Sequence, residues 1–280
     1  MSAARLSSFP SAFPSARRLL LWSGIVAVSL WVLVPIYLVA LGAFGGREGV
    51  YQWPKSFLPL EVSLDSVMVF LQIQGVGTAF INSLIAAGIT VVLSILLGAP
   101  AGYALARYDF PGKNAYRLLV LLTRAFPLAI LALPLTVSFI RLGLYDSVLG
   151  VGLIHTVLAL PFAALVTQGV FMGVPRELEE AAWVFGCSRI GAFLKVVVPL
   201  ALPGLAATAV FAFVISWNEV FAASVLTVQN RTLTAYLLTV LSESPLHYQF
   251  AGGLLLILPS AIFIFAVRRY LFAIWGVSSK

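Results

Sequence analysis

The chain has 280 residues, of which 61% are hydrophobic and 10% are charged, and its mean hydropathy is strongly positive. This composition is too apolar for a water-soluble domain of that length and predicts a protein that lives in a lipid bilayer. The net charge of +7 is spread over many connections rather than gathered in one run or stripe, which argues against a nucleic-acid partner. A single cysteine, Cys187, excludes an internal disulfide.

Six apolar runs are long enough to cross a bilayer. A span needs about 20 apolar residues for roughly 30 Å of hydrocarbon, and lipid offers backbone groups no partners, so each span should be helical. The sequence therefore predicts an all-α, polytopic membrane protein with six transmembrane helices, at residues 19–44, 78–106, 118–140, 148–172, 199–226 and 251–273. The first run could instead be a cleaved signal peptide, but it is about twice as long as a typical signal core, which favours a retained span.

The basic residues are distributed unequally between the connections, and this predicts the orientation. With the N-terminus in the cytosol, the opposite side holds only Arg47, Lys55, Arg141 and Arg231. The cytosolic side then holds Arg5, Arg17, Arg18, Arg107, Lys113, Arg117, Arg176, Arg189, Lys195, Arg268, Arg269 and Lys280. Both termini are therefore predicted to be cytosolic.

These spans divide the chain into four parts. Residues 1–18 are expected to form a loosely ordered cytosolic lead-in, and residues 19–44 the first transmembrane helix. Residues 78–273 form a core domain with the other five spans, and residues 274–280 a cytosolic tail.

No catalytic, metal-binding or cofactor-binding residues are predicted in this chain. The stretch GKNAYR from Gly112 lacks the Ser or Thr and the earlier glycine of a phosphate-binding loop. His155 has no second histidine or carboxylate at helical spacing that could share a metal, so it is interpreted as a hydrogen-bonded interior histidine.

The longest cytosolic connection between spans, residues 173–195, contains the stretch EEAAWVFG at 179–186. A helix is predicted over 175–186, because Pro175 suits its first turn, glutamates suit the positive end of its dipole, and Gly186 suits its end. By i, i+3, i+4 and i+7 spacing, one apolar stripe contains Leu178, Ala181, Ala182 and Phe185, with the carboxylates elsewhere. Helices that lie on lipid headgroups usually carry Lys or Arg on the polar face, so the acidic face favours docking into a groove of a cytosolic protein.

Glu180, Ala181 and Ala182, then three residues, Gly186, nine residues and VVVP at 196–199 resemble the EAA-loop signature of ABC-importer permeases. That signature reads E-A-A, three residues, G, nine residues, I-x-L-P, and the spacing here matches it with valines at the Ile and Leu positions. The stretches GYALARYDFPGK (102–113), LPF (160–162), PRELEEAA (175–182) and SWNEVF (216–221) resemble the carbohydrate-uptake, MalG-like branch. The resemblance covers most of the chain from the second span onward.

The resemblance implies the type I importer permease fold, in the cell membrane of a prokaryote. It implies that the 175–186 helix is a coupling helix seated in an ATPase subunit, with the coupling residues Glu180, Ala181, Ala182, Phe185 and Gly186. ATP and Mg would be bound by that ATPase and not by this chain. The implied partners are a second permease subunit in a heterodimer, two ATPase subunits and an extracytoplasmic solute-binding protein that contacts residues 45–77 and 227–250.

The sequence departs from the family pattern in two places. Val184 and Phe185 stand where members often have Ile-Asp, which implies a more apolar ATPase pocket. The C-terminal stretch RRYLFAIWGVSSK lacks the usual glycine-rich ending. In the expected mechanism, the proline-bounded stretch VVVPLALPG carries the displacement of the coupling helix into the fifth span.

Polar side chains inside the spans are costly in hydrocarbon and predict a substrate pathway. An aromatic ring beside hydrogen-bonding groups suits a sugar, but the same residues could serve as contacts between helices. The predicted pathway residues are Asn82, Ser216, Trp217, Asn218 and Glu219, with Ser83 and Thr136 as further candidates. Arg124 and Glu219 lie at different depths, so Glu219 is expected to have another partner, in the outer half of the pathway.

The predicted function is therefore a permease subunit, without enzymatic activity of its own, that imports a sugar. One alternative is an importer for another solute such as a glycerophosphodiester, which a cluster of pore-facing basic residues would support. A multi-span membrane enzyme would need convergent His, Asp, Glu or Cys residues, which are sparse here. A scaffold protein would require the 180–199 spacing to be accidental.

Overall fold

A computed structural model describes residues 16–58 and 61–274, and every regular element in these ranges is a helix. Most of the expected lead-in (1–15) and almost all of the expected tail (275–280) lie outside the described residues. In chain order the helices are α1 Ala16–Phe44, α2 Gly46–Tyr51, α3 Asp65–Gln72, α4 Val76–Arg107, α5 Lys113–Thr123, α6 Leu128–Arg141, α7 Val148–Met172, α8 Arg176–Val184, α9 Arg189–Ala192, α10 Val198–Asn218, α11 Phe221–Leu226, α12 Leu233–Thr239 and α13 Leu246–Ile274. A π-helical turn, Phe193–Val197, joins α9 to α10.

In the described part of the chain, five helical stretches are long and apolar enough to span a membrane. They correspond to α1, α4, α7, the continuous run from α9 through α10, and α13. All five overlap spans predicted from the sequence, and they place the chain among polytopic helical membrane proteins.

The predicted span at 118–140 is not one continuous helix. It is divided into α5 and α6, which meet at an angle of 89°. Pro127 precedes α6 with extended backbone (φ −65°, ψ 118°), and proline disfavours helical conformation in the residue before it, which is Phe126. The described residues therefore contain five apolar spans and one bent pair, which makes six only if that pair crosses as a unit.

The predicted span at 199–226 also ends earlier than expected. Helix α10 stops at Asn218, Glu219 has extended backbone (φ −73°, ψ 128°), and the short helix α11 follows as a separate element. The sequence after Trp217 therefore forms a break near the end of the bundle rather than two more turns of the same helix.

Helices α4 and α7 pack more closely than other long helices of the chain, because glycines of α4 face small residues of α7. A Cβ atom added at Gly98 would collide with Ala163, and one at Gly102 would collide with Thr167 and the backbone of Gln168. Thr167 Oγ1 donates a hydrogen bond to the Gly98 carbonyl at 2.9 Å. Small residues spaced four apart allow helix backbones in a membrane to approach closely, so α4 and α7 form a tight seam.

Within the described residues, helix α1 is buried against other elements only near its C-terminal end. The most apolar window of α1 has none of its residues buried within this chain. Gly42 and Ala43 are buried, and a Cβ at Gly42 would collide with the ring of Phe250 in α13. The close fit between Gly42 and Phe250 is therefore one of the contacts that attach α1 to α13.

Candidate functional site

The helix α8 forms where the sequence predicts a helix between α7 and α10. Pro175 precedes it with extended backbone, and Glu177 and Glu179 lie in its first turn, where they favour the positive end of the helix dipole. At its C-terminal end Gly186 has φ +86°, and the Cys187 N–H donates to the Ala182 carbonyl at 2.9 Å. This left-handed turn ends α8 and allows the chain to reverse direction.

The outer face of α8 and its following turn expose several large apolar side chains. The side chains of Val184, Phe185 and Ile190 are 85%, 88% and 72% exposed, and Leu178 is 43% exposed. Large apolar side chains left exposed on and just after a short helix are typical of a docking site for another protein. We call Leu178, Val184, Phe185 and Ile190 the apolar ridge.

The structure divides the stripe that the sequence placed on one face of this helix. Leu178, Ala181 and Phe185 are exposed, whereas Ala182 is buried against the bundle. Glu180, the first residue of the EAA pattern, is exposed and pairs with Arg176 at 3.4 Å across one helical turn. Such an exposed pair contributes little to stability and leaves Glu180 free to exchange partners.

Glu179 holds α8 against the bundle. Helical spacing alone predicts that Glu179 lies on the charged face with the other carboxylates. Glu179 is only 1% exposed. One of its oxygens accepts a hydrogen bond from Tyr103 Oη at 2.7 Å, and the other accepts one from Arg107 Nε. Arg107 also donates through Nη2 to the Val174 carbonyl at 2.8 Å, so one guanidinium holds both α8 and the segment before it. We call Tyr103, Arg107 and Glu179 the anchor.

Aromatic side chains cover the anchor on the bundle side. The Tyr103 ring lies 4.5 Å from the Phe193 ring and 5.6 Å from the Phe171 ring, measured between centroids. Phe193 begins the π-helical turn and Phe171 lies in the last turn of α7. The anchor therefore joins α4 to α8 beside the end of α7, in a place from which water is largely excluded.

A second buried polar cluster lies at the opposite end of α7 and α10. His155 is fully buried; its Nδ1 lies 2.8 Å from Ser216 Oγ and its Nε2 lies 3.0 Å from Glu219 Oε2. Thr90 Oγ1 of α4 completes the cluster at 3.3 Å from Ser216 Oγ. The prediction of a hydrogen-bonded interior histidine is confirmed, and His155 is the partner expected for Glu219. We call His155, Ser216 and Glu219 the polar triad.

The break after α10 is stabilised by the same glutamate. Glu219 accepts hydrogen bonds from the backbone N–H groups of Ala222 and Ala223 at 2.9 and 3.1 Å, which are unpaired donors at the start of α11. The Glu219 carbonyl accepts from Thr234 Oγ1 at 3.0 Å. Glu219 therefore fixes three elements at once: α7, α11 and α12.

Asp146 holds the neighbouring loop between α11 and α12. Its Oδ1 accepts backbone N–H donors from Val228, Gln229 and Asn230 at 2.9 to 3.0 Å. Partial burial alone would raise the pKa of the Asp146 carboxyl, but these three donors and the charge of Arg231 together hold it below its usual range. The loop is therefore organised around an ionised carboxylate.

The other predicted pathway residues do not line one wall in this structure. Trp217 is 1% exposed, stacks on Phe213 at 5.6 Å between centroids, and donates through Nε1 to the Leu256 carbonyl at 2.9 Å. Asn218 is exposed and bonds back to the Val214 carbonyl of its own helix. Trp217 thus makes the helix-to-helix contacts that the sequence left as an alternative to sugar contact.

The remaining candidates serve mainly to hold helices and loops in place. Asn82 is buried and donates to the Arg231 carbonyl at 3.2 Å, and Ser83 Oγ accepts from the Leu233 N–H at 2.8 Å. Thr136 bonds to the Ala132 carbonyl within α6. Within residues 16–58 and 61–274, no group of three His, Cys, Asp or Glu side chains is arranged to hold a metal ion.

Comparison with known proteins decides the family. The model of the "Binding-protein-dependent transport system inner membrane component" family matches residues 94–273, well over half of the chain. The chain belongs to this family. The match includes α8, the anchor residues on α4 and the polar triad, and it confirms the resemblance to ABC-importer permeases.

Curated relatives agree with this assignment. The permease is 33% identical to the trehalose transport system permease protein SugB of Mycobacterium tuberculosis, over 77% of this chain and 81% of the relative. It is 35% identical to the arabinooligosaccharides transport system permease protein AraQ of Halalkalibacterium halodurans, over 78% of this chain and 79% of the relative. The permease is thus a transport component of the inner membrane with several membrane passes.

Solved structures support the fold. One chain of a bacterial ABC transporter involved in import of the acidic polysaccharide alginate matches with a TM-score of 0.74 at 20% identity, over 94% of this chain and 100% of that one. A chain of the MetNI methionine ABC transporter matches with a TM-score of 0.58 at 20% identity, over 74% of this chain and 97% of that one. The all-helical importer-permease fold is therefore confirmed.

Proposed function

We propose that this permease forms one half of a translocation pathway for a sugar or oligosaccharide. Support comes from the relatives, which are named for uptake of trehalose, alpha-glucosides, diacetylchitobiose and arabinooligosaccharides. In this proposal the other half of the pathway comes from a second, different permease subunit. The membrane lipid forms the remaining surroundings of both subunits.

The proposal assigns energy coupling to α8. The observation that carries it is the apolar ridge, whose Val184 and Phe185 are more than four-fifths exposed on a helix that is firmly attached at its opposite face. An exposed apolar ridge of this kind binds a complementary groove, and a cytosolic ATPase subunit provides that groove. ATP and Mg are bound by two such ATPase subunits, and Glu180, Ala181, Ala182, Phe185 and Gly186 are placed at or next to the contact.

The orientation follows from the same assignment. With α8 in the cytosol, both chain termini are cytosolic, and the polar triad lies at the extracytoplasmic end. The connections 45–77 and 227–250 then face the extracytoplasmic solute-binding protein, which delivers the sugar. Among the predicted pathway residues, Glu219 and Ser216 belong to the polar triad through their contacts with His155.

Reconstitution of the complete complex in liposomes tests this function. The experiment measures ATP hydrolysis and uptake with the binding protein and a panel of trehalose, maltooligosaccharides, arabinooligosaccharides and chitobiose. We expect at least one sugar to stimulate both activities. Stimulation by an anionic glycoside or a glycerophosphodiester, with no response to neutral sugars, would assign another substrate. The relative named for sulfoquinovosyl glycerol transport is 36% identical over 59% of this chain and makes that control necessary.

A further inference from the structure

The connections of α8 to the bundle are of two kinds, along the chain and between side chains. Along the chain, α8 is separated from α7 by Gly173 and Pro175, and from α10 by the left-handed Gly186, the four-residue α9 and a π-helical turn. Glycine tolerates changes of backbone angle more readily than other residues, so Gly173 and Gly186 are the joints in these connections, whereas α9 and the π-helical turn continue into α10. Sideways, α8 is joined to α4 by the anchor, whose carboxylate and guanidinium side chains are 2% and 9% exposed.

Separation of the anchor is strongly unfavourable. Withdrawal of Glu179 from Arg107 and Tyr103 would leave a buried charge without a partner on each helix, and charge-assisted hydrogen bonds are about twice as strong as neutral ones. A force applied to α8 therefore moves α4 before it breaks this contact. The covalent connection to α10 first passes through the left-handed turn at Gly186, where the chain reverses direction.

Helix α4 leads from the anchor to the opposite end of the bundle. Thr90 lies seventeen residues before Arg107 in α4, about 26 Å along the axis at 1.5 Å per residue. Its Oγ1 contacts Ser216 of the polar triad, and its helix is seated on α7 through Gly98 and Gly102. One continuous helix thus touches both clusters.

We propose that Glu179 is a positioning residue that locks α8 and α4 into one lever. On this basis, movement of α8 reaches the polar triad through α4, in addition to the chain connection into α10. The inference rests on the proposed coupling function, because it requires that α8 be moved by an ATPase. The proposal assigns distinct roles to two adjacent carboxylates. Glu179 binds Tyr103 and Arg107 of α4, whereas Glu180 is exposed on the outer side of α8.

The first test compares Glu179→Gln with Glu177→Gln in the reconstituted complex. Glu177 is an exposed carboxylate on the same helix and is the matched control. We expect E179Q to co-purify with the ATPase and to hydrolyse ATP, while the solute transported per ATP falls about tenfold, in the range typical of a coupling free energy. E177Q should keep the wild-type ratio. The charge-swapped pair R107E/E179R should recover part of the loss.

The outcomes separate the inference from the proposed function. A wild-type ratio of transport to ATP hydrolysis in E179Q would overturn the lever and leave the coupling function intact. Failure of the unsubstituted chain to bind any ATPase would overturn the coupling function itself. Equal losses in E177Q and E179Q would show a general effect of acidic charge on α8 and would also overturn the lever.

A second measurement does not depend on folding of the E179Q variant. Asp109 follows α4 and has a 99% exposed side chain, and the native Cys187 follows α8 and is the single cysteine of the chain. Because Cys187 lies beyond the Gly186 turn, spin labels on Asp109→Cys and Glu177→Cys, in a chain with Cys187→Ser, report the separation of the two helices in the full complex. We expect the same distance distribution with and without bound ATP. A distribution that shifts with nucleotide would show that α8 moves independently of α4.

Discussion

The two ends of the bundle are built in opposite ways around buried carboxylates. At one end Glu179 is paired with Arg107, and the helix that it holds turns an apolar ridge away from the bundle. At the other end Glu219 is bonded to His155 and to the first N–H groups of α11, so its hydrogen bonds connect elements within the chain. The first arrangement supports a surface for a partner, whereas the second closes the chain on itself.

In the proposed coupling function, force enters at the first end and has its effect at the second. The proposal requires that α8, which the anchor holds and which carries the apolar ridge, transmit a push from outside. It also requires that the polar cluster joining α7, α10, α11 and α12 rearrange as a unit, since its contacts share members. The tight seam between α4 and α7 connects the two ends, and the predictions below test the seam and each end in turn.

The largest effect is expected at the seam. Gly102→Val places two methyl groups against Thr167 and the α7 backbone, which should lower the free energy of unfolding by about 3 kcal/mol through overpacking. Gly88→Val on the same helix is the control, since a Cβ there meets no atom within 4 Å. Thermal unfolding of the purified protein measures both. Equal stability of the two variants would show that the ends are not joined through this seam.

Removal of the most exposed side chain of the apolar ridge comes next. Phe185→Ala should weaken ATPase binding by about 2 kcal/mol, roughly 30-fold, because buried aromatic anchors dominate interfaces of this kind. Leu142→Ala is the control, as Leu142 is 69% exposed at the opposite end. Affinity is measured with the isolated ATPase and the permease in nanodiscs. Unchanged affinity for Phe185→Ala would remove the apolar ridge from the contact.

A smaller loss of stability is expected at the polar triad. His155→Leu leaves Glu219 and Ser216 without their shared partner and should lower the free energy of unfolding by about 1.5 kcal/mol. Thr156→Val is the control, since the Thr156 hydroxyl donates to the Gly152 carbonyl of its own helix at 2.7 Å. Denaturant titration in detergent compares them. A stable His155→Leu variant would mean that Glu219 is held by the backbone of α11 alone.

The smallest effect concerns pH at the Asp146 loop. The pKa of this carboxyl is lower in the folded chain than in the unfolded chain, so its contribution to stability is present above the unfolded pKa and is lost as the pH falls through the folded one. Below a pH of about 4, wild type should lose up to about 1 kcal/mol relative to Asp146→Asn, since the group is partly exposed. Thermal unfolding against pH measures the difference. A parallel pH dependence in both proteins would contradict it.

The apolar spans were predictable because hydropathy depends on composition over about 20 residues, and all five long spans overlap predicted ones. The bend before α6 could also be predicted from the sequence, because Pro127 lacks a backbone N–H donor and disfavours helical conformation at Phe126. The break at Glu219 was harder to foresee. It depends on a side chain that caps α11, and nothing in the local sequence distinguishes that role from a mid-helix glutamate.

The anchor could not be predicted from the pattern of α8. Helical spacing correctly indicated exposed Leu178 and Phe185, but it grouped Glu179 with the solvent-facing carboxylates. Glu179 is buried because Arg107, 72 residues earlier in the chain, lies beside it in the fold. The stretches GYALARYDFPGK and PRELEEAA contain the two halves of this contact, yet their pairing becomes visible only when α4 and α8 are placed together.

Helix α1 shows how unevenly sequence constraint is distributed within one span. Along 19–33 its side chains touch no other part of the described chain closely enough to be buried, so one apolar residue there can replace another with little consequence for this subunit. At Gly42 a single added methyl group meets the ring of Phe250. A saturation mutagenesis scan across α1 would therefore show a tolerant stretch of about four turns, with the strongest intolerance further along the helix at Gly42.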